Sequence, residues 1–301
     1  KGKAHEDEEE YDMALKAYDE AVRLDHNNSA AWNQKAIVLR KLDRYNESLA
    51  ACDEALNLDP DLAAAWNNKG NALGDLGNYD EAIRAYNEAI IINPNLSAAW
   101  NNKAAALRRQ SKYNESIMAC DEALRIDPRL SDAWINKGFS LTNQGKYEQA
   151  VMAYDEALDI NPNLSLAWMH KGNALGELGQ YNDSIIAYDL ALKLDPNLSL
   201  AWINKGNALA NIGKYNASIA AYDEALQIDP DLAIAWNNKG NALDDLGKHE
   251  EAIEAYNESL RLYPGLALAW INKGNAYILL GQNQKAEAAF TKAKDLGYAI
   301  L

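Results

Sequence analysis

The chain has 301 residues, 48% hydrophobic and 24% charged, with two cysteines, the balance of a folded chain held together without disulfides. Its formal charge of −15 excludes the basic footprint that nucleic-acid phosphates demand and disfavours an anionic membrane surface. No apolar run approaches the roughly 20 residues of a membrane helix, and residues 1–8 lack the apolar stretch of a signal peptide, so no membrane insertion and a cytoplasmic location are expected.

Periodicity decides the organisation. Trp32, Trp66, Trp100, Trp134, Trp168, Trp202, Trp236 and Trp270 stand 34 residues apart, and Pro60, Pro94, Pro128, Pro162, Pro196, Pro230 and Pro264 each follow a tryptophan by 28. With tryptophan at position 4, the chain begins with a partial repeat over 1–28, fitting positions 7–34, with Tyr11 and Tyr18 where a later repeat has Tyr79 and Tyr86. Complete repeats then run 29–62, 63–96, 97–130, 131–164, 165–198, 199–232, 233–266 and 267–300, a single domain over 1–301 that reads as a piece of a longer array. Within 63–96, Trp66, Leu73 and Leu76 recur at helical spacing and Gly77 ends a first helix. Tyr79 to Ile92 repeats the pattern through Ala82, Ile83, Tyr86, Ala89 and Ile90 until Asn93-Pro94 closes a second. One such pair cannot bury its own apolar faces, so stacking of repeats must supply the core.

The order Trp66, Gly70, Leu73, Gly77, Tyr79, Ala82, Tyr86, Ala89, Pro94 resembles the tetratricopeptide repeat, and the likeness recurs eight times. It implies an all-α fold, a right-handed α-solenoid superhelix of stacked antiparallel helix pairs, whose first helices line a groove for a protein or peptide partner. It implies a scaffold or adaptor, and groove-facing positions 2, 5, 6, 9, 12 and 13.

Those positions carry carboxamides. Position 6 is Gln34, Asn68, Asn102, Asn136, His170, Asn204, Asn238 and Asn272, and position 9 adds Asn71, Asn173, Asn207, Asn241 and Asn275. A carboxamide offers donor and acceptor, so such columns suit the main chain of an extended peptide; the alternative is that they bridge neighbouring helices. Positions 2 and 5 turn apolar in later repeats, with Ile135, Leu166, Met169, Leu200, Ile203, Ile234, Leu268 and Ile271 forming a stripe that either meets a ligand or packs between first helices. The two-carboxylate clamp for chaperone tails that the resemblance would allow needs basic residues at positions 2, 5 and 6, which are missing.

Repeats 29–62 and 97–130 share a subtype: Ala36 and Ala104 replace glycine, Cys52 and Cys120 replace tyrosine, and Arg40-Lys41 and Arg108-Arg109 occupy positions 12 and 13. Arg108 and Arg109 are candidate anchors for an acidic segment, or else solvated cations. The cysteines read as inert core thiols, and the four histidines share no ligand spacing, so no metal is expected. Position 7 is lysine throughout, at Lys35, Lys69, Lys103, Lys137, Lys171, Lys205, Lys239 and Lys273, and again at Lys1. Each is expected to lay its stem between helices and reach a second-helix carboxylate such as Asp53, Asp121 or Asp223.

No phosphate loop, nucleophile elbow or zinc-protease helix occurs, so no catalysis and no cofactor are expected. The other readings are end-to-end self-association and a substrate-recruiting segment of a larger enzyme. Nine Asn-x-Ser triplets follow from the repeat itself and carry no glycosylation signal.

Overall fold

The computed structural model describes residues 2–298, with side chains from Glu10 onward; Lys1 and the side chain of His5 lie outside the described residues. Among the described residues there are seventeen helices and no strands. Contacts group them into two compact halves, Lys1–Ile160 and Asn161–Leu301. The N-terminal half holds α1 (Gly2–Leu24), α2 (Ser29–Lys41), α3 (Tyr45–Leu58), α4 (Ala63–Asp75), α5 (Tyr79–Ile92), α6 (Ser97–Arg109), α7 (Tyr113–Ile126), α8 (Ser131–Asn143) and α9 (Tyr147–Ile160). The C-terminal half holds α10 (Ser165–Glu177), α11 (Tyr181–Leu194), α12 (Ser199–Asn211), α13 (Tyr215–Ile228), α14 (Ala233–Asp245), α15 (His249–Leu262), α16 (Ala267–Leu279) and α17 (Asn283–Asp295).

Every complete repeat is thus a helix pair broken at position 15. Glycine takes the left-handed conformation there at Gly77, Gly145, Gly179, Gly213, Gly247 and Gly281, where a side chain would be strained. The subtype repeats manage without it, through Asp43 (φ 57°) and Ser111 (φ 59°). The partial repeat departs from expectation: α1 runs unbroken through Gly2–Leu24 instead of forming a helix end, a turn and a second helix. Its position 15 is Glu9, within a run of acidic helix formers that gives the chain no reason to turn.

Three contacts hold a repeat to itself and to its neighbour. At position 8 glycine lets the position-24 tyrosine ring lie on the first helix: a Cβ on Gly206 would stand 2.5 Å from Tyr222 Cε1. Where position 20 is serine, its hydroxyl donates to the position-8 carbonyl, as in Ser184 to Gly172 (2.7 Å) and Ser218 to Gly206 (2.8 Å), satisfying a buried polar group. The tryptophan Nε1 donates back to the proline carbonyl six residues earlier, at 2.9–3.1 Å from Trp66–Pro60 through Trp270–Pro264. Where Asp or Asn precedes that proline its side chain accepts from the amide two residues on, as Asp229 does from Asp231 (3.1 Å), which closes the turn; Tyr263 takes that place before Pro264.

Candidate functional site

Within each half the first helices lie side by side, α2, α4, α6 and α8 in one and α10, α12, α14 and α16 in the other. The asparagine columns run across these contacts. Nδ2 at position 6 donates to a carboxamide of the preceding repeat: Asn68 to Asn33 (2.8 Å), Asn102 to Asn67 and Asn71 (3.1 and 2.9 Å), Asn136 to Asn101 (2.9 Å), Asn204 to Asn173 (2.9 Å), Asn238 to Asn207 (3.0 Å) and Asn272 to Asn237 (3.1 Å). The target is position 5 where that residue is asparagine, joined by position 9 for Asn102, and otherwise position 9 alone. Position-9 Oδ1 also receives the position-24 hydroxyl of its own repeat: Tyr86 to Asn71 (2.9 Å), Tyr188 to Asn173 (2.7 Å), Tyr222 to Asn207 (2.7 Å) and Tyr256 to Asn241 (2.8 Å). Those tyrosines escaped the sequence reading of the site, although their constant spacing from glycine was the available signal. In the last repeat position 24 is Phe290, so Asn275 lacks that bond and is exposed.

The columns are therefore structural bridges in which most carboxamides are half used, while Asn238 both donates to Asn207 and accepts from Asn237 (3.1 Å). Among the described residues, Nδ2 of Asn71, Asn173, Asn207 and Asn241 has no acceptor, and Oδ1 of Asn68, Asn102, Asn204 and Asn272 has no donor. None of these atoms is both buried and unsatisfied. Open donors at position 9 thus sit beside open acceptors at position 6.

The apolar stripe resolves into two kinds of residue. Leu166, Leu200, Ile234 and Leu268, all at position 2, are exposed at 49–60%. Met169 and Ile203, at position 5, are buried at 7% and 6% and belong to the cores formed with Tyr188 and Tyr222, so the expectation that they face a ligand is corrected. Position 5 faces the adjoining first helix, where an apolar side chain replaces the asparagine bridge. Ile135 and Ile271 are half-buried at the same position.

In the N-terminal half the three arginines of the basic pairs come together, without Lys41. Arg40 of α2 and Arg108 and Arg109 of α6 line one cavity of about 510 Å³ over α4, with Asn71, Asp75 and Asn102. Arg40 pairs with Asp75 (2.9 Å). Arg108 lays its guanidinium 4.3 Å over the Phe139 ring, and burial beside Arg109 lowers its pKa.

Five of the position-7 lysines behave as expected. Lys35, Lys69, Lys137, Lys205 and Lys239 reach Asp19, Asp53, Asp121, Asp189 and Asp223 of the preceding repeat at 2.6–2.8 Å. Each ammonium also stands 4.7–5.2 Å over the tryptophan ring of its own repeat. Where position 25 is Asn87 or Asn257, Lys103 and Lys273 keep the ring but have no carboxylate partner among the described residues, and desolvation lowers their pKa.

Cys52 and Cys120 are fully buried, and burial pushes each thiol from its ordinary 9 up to about 12. The stability tied to the protonated thiol is complete below pH 9 and is lost as pH rises from 9 to 12, because the unfolded thiol ionises first. Native protein at pH 8 is expected to leave an aromatic disulfide reagent unreacted while both thiols titrate in denaturant; reaction of a native thiol within minutes would show an accessible thiolate. No His, Cys, Asp or Glu trio suited to a metal occurs among the described residues, and no described helix is long and apolar enough to cross a membrane.

Models of the tetratricopeptide repeat match residues 1–28, 29–62, 63–96, 97–130, 131–164, 165–198, 203–267 and 239–297. No curated protein sequence matches the chain. Among solved structures, MamA is 28% identical over 53% of this chain and 94% of its own, with a TM-score of 0.51. A tetratricopeptide repeat protein from Parabacteroides merdae is 20% identical over 78% of this chain and 93% of its own, at 0.61. YrrB, described as a repeat protein of this kind with an unusual peptide-binding site, is 22% identical over 62% and 96%, at 0.55; these last two likenesses concern the fold. A 34-residue helix pair that recurs along the chain, matched by family models over nearly its whole length, makes this chain a member of the tetratricopeptide repeat family.

Proposed function

We propose that the protein holds an extended polypeptide along the face of its first helices and reads the ligand's main chain through the asparagine columns. The observation that carries this reading is the half-used carboxamide. Position 9 offers an open N–H to a peptide carbonyl, and position 6 of the next repeat, at Asn102 and Asn204, offers an open C=O to a peptide N–H. Bridges at 2.9 Å and the tyrosine hydroxyls hold these groups before any ligand arrives, so less side-chain entropy is lost on binding. Neighbouring helices stand about 8–10 Å apart, close to the ~10 Å of three extended residues, so one repeat serves about three residues of ligand. The exposed position-2 residues Leu200, Ile234 and Leu268 then lie on the same helices as partners for apolar side chains. This is a binding activity, with no chemistry demanded of the chain.

The test is selection of decapeptides from a displayed library, followed by affinity measurement with Asn204→Ala/Asn238→Ala/Asn272→Ala protein. Affinity is expected to fall at least tenfold, and N-methylation of alternate ligand amides should weaken binding to the intact protein equally. Undiminished binding in both arms would remove the main-chain reading and move recognition to other surfaces.

A further inference from the structure

We infer that the cavity over α4 in the N-terminal half is a site for an acidic segment of the bound polypeptide. This rests on the reading that the first-helix face takes a polypeptide and names the chemistry of part of it. Three guanidinium groups, Arg40, Arg108 and Arg109, border the cavity against a single carboxylate, Asp75, in a protein whose formal charge is −15. Asp75 is spent on Arg40 (2.9 Å). Neither Arg108 nor Arg109 forms an ion pair with any described residue. The buried Nε of Arg108 has no hydrogen-bond partner, and stacking on Phe139 at 4.3 Å fixes the guanidinium plane.

A fixed, unpaired guanidinium beside a second one matches a carboxylate, which it can hold through two parallel hydrogen bonds. Asn71 and Asn102 line the same cavity, and their mutual bridge leaves one donor and one acceptor open for the peptide link between acidic side chains. Asp75 occupies Arg40 as an internal stand-in for a second ligand carboxylate. The subtype that puts arginine at position 12 occurs two repeats apart, so the two copies face each other across the repeat between them. These cations sit at positions 12 and 13, unlike those of the two-carboxylate clamp.

The experiment uses fluorescence anisotropy of two labelled, end-blocked decapeptides, (Glu-Ser)5 and (Gln-Ser)5, with the full chain. The acidic peptide is expected to bind at least tenfold more tightly at low salt and to lose most of that advantage at 0.5 M salt. Arg108→Gln/Arg109→Gln should weaken the acidic peptide about tenfold and leave the neutral one unchanged. Asp75→Asn, which frees Arg40, should tighten the acidic peptide severalfold, a gain that misfolding cannot produce.

Equal affinity for the two peptides, or an Asp75→Asn protein that binds the acidic one no better, overturns the inference. Asn204→Ala/Asn238→Ala in the other half separates the two ideas. Acidic selectivity that persists while this change has no effect keeps the arginine site and removes the asparagine reading. Loss of both peptides on this change without acidic selectivity does the reverse.

Discussion

Replacing Gly206 by alanine is expected to destabilise the protein by about 2–3 kcal/mol, and replacing Tyr222 by cysteine by about 3 kcal/mol, yet the double variant should cost no more than the worse single change. A Cβ on Gly206 would meet Tyr222 Cε1 at 2.5 Å and Cδ1 at 2.8 Å, and the ring, 2% exposed, has no space to retreat. Shifting it also breaks the hydroxyl's 2.7 Å bond to Asn207. Cysteine alone leaves a void where the ring was. Together the two changes reproduce the pairs Ala36 with Cys52 and Ala104 with Cys120, all fully buried, which the protein already uses in two of its repeats. Urea unfolding of the four proteins gives the coupling, expected at about 2 kcal/mol in favour of the double variant. Strict additivity would mean that glycine and tyrosine vary together for reasons unrelated to packing.

That pairing shows what the sequence could and could not yield. Repeat length, helix pairs and the glycine turns were legible because each follows from local chemistry: a helical period, a residue free to take positive φ, a proline that ends a helix. The joint change of positions 8 and 24 was visible too, but its cause lies in a distance between helices that only the fold supplies. The same limit explains the stripe. Positions 2 and 5 lie about 60° apart around one helix, and the rotation between neighbouring first helices decides that Leu200 is exposed at 59% while Ile203 is buried at 6%. The asparagine columns were read correctly as columns, but which half of each amide is spent depends on contacts between repeats. The lysine column was legible where a lysine in one repeat meets an aspartate at position 25 of the one before, and failed at Lys103 and Lys273, where that position is asparagine.

Trp236→Ala is expected to cost about 3–4 kcal/mol, and Trp236→Phe about 1–2 kcal/mol. The larger figure reflects lost packing. The indole touches the cluster of Ile203, Tyr222 and Leu226 in the preceding repeat and that of Leu243, Ile253 and Tyr256 in its own, so one side chain joins two cores. Phenylalanine keeps most of that volume but gives up the 3.1 Å bond from Nε1 to the Pro230 carbonyl, which fixes the turn before α14. In a stacked array each repeat is stabilised by its neighbours, so a weakened interface divides the cooperative unit. Amides in α14 to α17 should therefore lose hydrogen-exchange protection in Trp236→Ala before those in α10 to α13. The bridge from Asn238 to Asn207 (3.0 Å) and the pairing of Lys239 with Asp223 (2.6 Å) cross the same interface. A ligand held by the open Nδ2 of Asn207, whose Oδ1 takes the Asn238 bridge, should then bind more weakly, although the tryptophan touches no part of it. Protection that falls evenly through both helix groups would show that the interface is not where cooperativity is set, and unchanged affinity in the same variant would separate the columns' order from their role in binding.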